Sequence, residues 1–133
     1  MKNSQKRTVS KAEKMDPLSL IAAIAFFGYI AVVIVSITVE IITEWFRARG
    51  RIKASSSNAI AFSLAERIAN KDYAKVSGVF DKTPASATTR IVQGFFDERT
   101  GRVIEARALA SARQPDADVV YNHQAGRGLV VYT

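Results

Sequence analysis

Residues 18–39, LSLIAAIAFFGYIAVVIVSITV, carry no charge, and their reading decides the fold expected of the whole chain. Taken as one α-helix, these 22 residues extend about 33 Å, against roughly 30 Å of bilayer hydrocarbon. The run exceeds the apolar core of a secretory signal peptide, and no small-x-small cleavage site follows it. It is apolar all the way round, as a helix in lipid is. The sequence thus predicts a single transmembrane helix over residues 18–46.

Both ends fit that expectation. Asp16–Pro17 is a good helix start, with a capping carboxylate and a proline suited to the first turn. At the far end Trp45 and Phe46 are placed as interfacial aromatics. Arg47, Arg49, Arg51 and Lys53 follow as a basic linker over residues 47–54, facing anionic lipid head groups. Ala22, Ala25 and Gly28 align small residues at helical spacing, a candidate face for close helix packing. Glu40 and Glu44 lie one turn apart at the boundary and read as interfacial. The tail (1–17) carries Lys2, Lys6, Arg7, Lys11 and Lys14. Both flanks are therefore basic, and the positive-inside rule favours only slightly a cytoplasmic C-terminal domain. A bacterial cytoplasmic membrane or a viral membrane is the expected location.

Residues 54–133 are close to neutral, with ten basic and eight acidic side chains. The net charge of +7 therefore lies mostly beside the uncharged run. That placement points to lipid rather than nucleic acid, and the tail lacks the interleaved aromatics that stack on bases. The absence of cysteine excludes disulfides, thiolate nucleophiles and Cys-ligated metals.

The segment 55–133 is expected to form a small α+β domain, one or two helices on an antiparallel sheet of three or four strands. Ile60, Leu64 and Ile68 recur every four residues and predict a helix over 55–80, carried on by Tyr73, Val76 and Phe80 and ended by Pro84. Residues 88–98 and 103–112 predict a hairpin around Arg99–Arg102, and residues 119–123 and 129–133 two more strands. Residues 68–80, IANKDYAKVSGVF, resemble the first helix of NTF2-like domains. The stretch is short, has no diagnostic motif and precedes too little chain for such a domain, so no family is assigned.

Three groups of residues are candidates for chemistry. His123, the sole histidine, follows Asp116 and Asp118 and shares a predicted strand face with Tyr121, and an Asp–His pair can act as a general base or bind a metal. A surface or turn histidine is the ordinary account. Gly126–Arg127–Gly128 offers a backbone that can approach a phosphate, against the ordinary account of a tight turn. Asp97, Glu98 and Glu105 interleave with Arg99, Arg102 and Arg107, which reads as a solvated charge ladder. No Walker-type or dinucleotide-binding loop is present. No cofactor is expected. The function expected is a non-enzymatic accessory subunit, tethered by its helix, whose small domain contacts other protein subunits or further copies of itself. A tethered ligand-binding or sensory module is the alternative.

Overall fold

The computed structural model describes residues 17–27, 30–66 and 89–132. The uncharged run does not form one helix. It divides into helix α1 (Pro17–Phe27), strand β1 (Ala31–Ile34) and the start of helix α2 (Val39–Ala48). Among the described residues no helix is long and apolar enough to cross a membrane. This overturns the single-pass helix and the membrane location inferred from it. The physical reason lies in the second half of the run. Seven of the nine residues from Ala31 to Val39 are β-branched, and such side chains favour a pleated backbone. Absence of charge measures hydrophobicity; it does not choose between helix and strand.

Helix α3 (Gly50–Ser55), strands β2 (Ala59–Ala65), β3 (Thr89–Asp97) and β4 (Arg102–Ser111), helix α4 (Ala117–Ala125) and strand β5 (Leu129–Tyr132) complete the described fold. The strands form one five-stranded mixed sheet in the order β1-β4-β3-β2-β5. β1 pairs with β4 in parallel, and the other pairings are antiparallel. The class is α+β as expected, but the sheet is larger than predicted and is not wholly antiparallel.

Two further assignments are corrected. The helix expected from residue 55 ends at Ser55, and Ala59–Ala65 is a central strand. Spacing of four fits both a helical period and a strand period of two. Ile60, Phe62 and Leu64 follow the latter and face one side of the sheet. Residues 119–123 are helical rather than extended, with Val119 and His123 buried one turn apart on the face that packs on the sheet. The predicted hairpin is present as β3–β4, with Gly101 at positive φ in its turn. The helix expected through Phe80 and the NTF2-like resemblance at 68–80 fall mostly or wholly outside the described residues.

The sheet has a helix layer on each face. On one, Leu20, Ile21 and Ile24 of α1 pack on Ile60, Phe62, Leu64, Val92, Phe96 and Ala108. On the other, Ile42 and Trp45 of α2 and Val119 of α4 pack on Ile91, Phe95 and Leu109. Each large side chain so removed from water contributes about 1.5–3 kcal/mol. A β-bulge in β4 breaks the regular alternation of its side chains between the two layers. Phe95 pairs with Glu105 but Phe96 pairs with Val103, so Ile104 is the extra residue. Val103 therefore joins the α1 side while Glu105 and Arg107 face α2. Gly94 sits beside this bulge because a Cβ there would lie 2.5 Å from the Glu105 carbonyl oxygen.

Candidate functional site

The chemistry-bearing residues of the described structure form a row on the α2/α4 face. Ser63 of β2 pairs in register with Gln93 of β3, and Gln93 with Arg107 of β4. Directly paired residues point to the same face, so these three side chains cross the sheet side by side.

At one end, His123 of α4 closes a hydrogen-bond chain. Its Nδ1 lies 2.7 Å from the Val119 carbonyl oxygen, which only accepts, so Nδ1 carries the proton. Nε2 then accepts from the Ser63 hydroxyl at 2.7 Å. The Ser63 oxygen in turn accepts from the Tyr132 hydroxyl at 2.7 Å. Burial pushes the imidazole below its ordinary value of 6.5, partly offset by the Val119 carbonyl. Burial likewise raises the Tyr132 phenol. The Ser–His contact has the spacing of a nucleophile and its base. However, Ser63 is 0% and His123 2% exposed, and the bonds above occupy both imidazole nitrogens and the serine proton. The arrangement ties α4 to β2 and β5.

At the other end the row opens to solvent. The Gln93 amide nitrogen donates to the Ile42 carbonyl at 3.0 Å, and its oxygen accepts from Arg107 Nε at 2.7 Å. Arg107 Nη2 donates to the Ile41 carbonyl at 3.1 Å. The guanidinium carbons of Arg49 and Arg107 lie 4.2 and 5.4 Å from the Trp45 ring centroid. Arg49 Nε also donates to Glu105 at 2.6 Å. Partial burial, then the charge of Arg49, push Arg107 below its ordinary range. Ile41, Trp45, Arg49 and Arg107 line an open cleft of about 900 Å³ between α2, the segment leading into it, and β4.

The residues singled out from sequence are scattered by the fold. Trp45 is buried and stacks on Phe95 with centroids 5.8 Å apart, and Phe46 packs edge-on against Phe95 at 5.4 Å. Arg47 pairs with Glu44 on the surface, and Arg51 and Lys53 are exposed on α3. Ala22 and Ala25 face outward on α1, while Gly28 lies outside the described residues. Tyr121 is 70% exposed and points away from buried His123, since the two share a helix rather than a strand face. Gly126–Arg127–Gly128 is a helix-to-strand turn, with positive φ at Arg127 and Gly128. The carboxylates do not form the expected ladder. Asp97 Oδ1 accepts from the Arg99 and Thr100 backbone amides, and Glu105 reaches Arg49 instead. Among the described residues no group of three or more His, Asp and Glu side chains is placed to hold a metal.

Ser63, Gln93 and Tyr132 were missed at the level of sequence. Ser63 is the lone polar residue of an apolar strand and Gln93 the one polar residue in the buried middle of β3, a signal visible once those strands are recognised as buried on both faces. Compared with known proteins, the chain matches no family model, no curated protein and no solved structure.

Proposed function

We propose that this chain is a non-catalytic accessory subunit whose α+β domain contacts other protein subunits through the outer edge of β1. The observation that carries this reading is the apolar character of that edge. β1 is the outermost strand, and no described strand pairs with its outer side. Phe26 and Phe27 precede it and Ile34 ends it; Phe26 is 77% and Ile34 72% exposed. Open edges accept an added strand through main-chain hydrogen bonds, and apolar side chains around the edge set which strand fits. The non-catalytic part of the reading is supported by the sealed Ser63–His123 contact, the one serine–histidine pair among the described hydrogen bonds.

A photo-crosslinking amino acid placed at Ile34 tests it in the cell that makes the protein. A discrete adduct is expected at Ile34 and none at Tyr121, which is equally exposed but on α4. The adduct mass distinguishes a second 14.6 kDa copy from another subunit. Identical smears at both positions, or no adduct at either, would discard the edge as a contact surface.

A further inference from the structure

The cleft between α2 and β4 carries a second inference, independent of the β1 edge. Arg49 and Arg107 both lie against the ring of Trp45. Two guanidinium ions sharing one ring repel each other, and the described residues provide one carboxylate in hydrogen-bond contact with the pair, Glu105 on Arg49. Arg107 spends two of its donors on neutral acceptors, Gln93 and the Ile41 carbonyl. A guanidinium has five N–H groups in a planar fork. Its remaining donors meet no described acceptor, and Arg107 lines the open cleft. A planar acceptor with one negative charge would complete this arrangement by bidentate pairing with the free donors of Arg107.

The opposite wall restricts the ligand. Glu40 and Glu44 also line the cleft; Glu44 is held by Arg47, whereas Glu40 has no partner among the described residues. That carboxylate repels a polyanion such as a nucleic acid backbone or a polyphosphate, a built-in selection by charge. The volume of about 900 Å³ falls within the range of small-ligand clefts. We infer that the cleft binds a monocarboxylate, held by Arg107 against Trp45. Its source is either a free organic acid or the carboxylate end of a peptide.

Trp45 is the only tryptophan in the chain, and its ring lies under Arg49 and Arg107, so its fluorescence reports on changes at these two side chains. The full-length protein is titrated with propionate, N-acetyl-triglycine, N-acetyl-triglycine amide and inorganic phosphate. At least one of the two acids is expected to give a saturable change with a Kd on the order of 1 mM, and the tighter of them identifies the source. The amide gives no change, and phosphate binds more weakly than the acid. Arg107→Lys keeps the charge but loses the fork, and weakens the acid about tenfold. Glu105→Gln releases Arg49 from its competing carboxylate and tightens binding. This second variant leaves Arg107 and its contacts with α2 intact, so it decides the matter even where Arg107→Lys unfolds. Equal responses to the acid and its amide, no response to either acid, tighter binding of phosphate, or unchanged affinity in Glu105→Gln would each overturn the assignment. None of these outcomes depends on what crosslinks at Ile34.

Discussion

The two faces of the sheet are cut from the same strands and held in opposite ways. The α1 face is held by an apolar cluster, with the Glu66–Arg90 ion pair at its margin. The α2/α4 face buries apolar groups too, but across it run Ser63, Gln93 and Arg107, each bonded to a helix or to the next strand. Hydrophobic packing tolerates small rearrangements among similar shapes. A hydrogen-bonded row admits few, because a misplaced helix leaves a buried polar group unsatisfied. The α1 face thus supplies bulk stability, whereas the opposite face fixes the position of α2 and α4.

The largest expected effect comes from breaking the α1 face. Phe62→Ala empties a fully buried site and lowers unfolding free energy by about 3–5 kcal/mol. Denaturant titration should show this loss nearly unchanged between pH 8 and about 6, because the charged pair beside that cluster, Glu66 and Arg90, stays ionised over this range. The polar row is tested by Gln93→Leu, which keeps the volume but strips Arg107 Nε and the Ile42 carbonyl of their partner. A loss of about 1–3 kcal/mol is expected; a gain would mean that the row costs stability rather than conferring order.

Acid separates the two faces without removing an atom. His123 is held neutral in the folded protein below its ordinary value of 6.5, whereas the unfolded chain takes up a proton near that value. The unfolded state therefore binds more protons. The contribution of neutral His123 is complete above about pH 6.5 and is lost as pH falls toward the depressed folded value. Thermal melts of the wild-type chain should decline over that window, and His123→Gln should flatten the part due to this residue. A wild-type profile identical to that of the variant would show that the imidazole is not sealed. The smallest expected effect lies outside both layers. Glu44 and Arg47 pair on the surface at 3.2 Å, and Arg47→Ala should change stability by no more than about 0.5 kcal/mol.

How much of this was legible in the sequence differs by region for physical reasons. The β3–β4 hairpin was readable because its signals are local: β-branched and aromatic residues flank a glycine turn. Residues 18–39 were misread because hydrophobic length was weighed above backbone preference. Pro17–Phe27 has two β-branched residues among eleven, against seven among nine in Ala31–Val39. That contrast was present in the sequence and marks the change from helix to strand. α4 was misread as a strand because Val119 and Val120 carry a strand preference that tertiary burial of Val119 and His123 overrides. The site was the least legible. Arg49 and Arg107 are far apart in the chain, and only the pairing of β4 in the sheet and the end of α2 bring their guanidinium groups to one indole.

The parallel pairing of β1 with β4 has a consequence for the order of synthesis. The apolar N-terminal segments leave the ribosome early, while the strand that receives β1 belongs to the last third of the chain. At ~5–20 residues per second the interval is on the order of ten seconds. During it the nascent chain displays an uncharged stretch of the kind that targeting factors and holdase chaperones bind. Translation speed and early chaperone capture thus bear on whether that stretch reaches its own sheet.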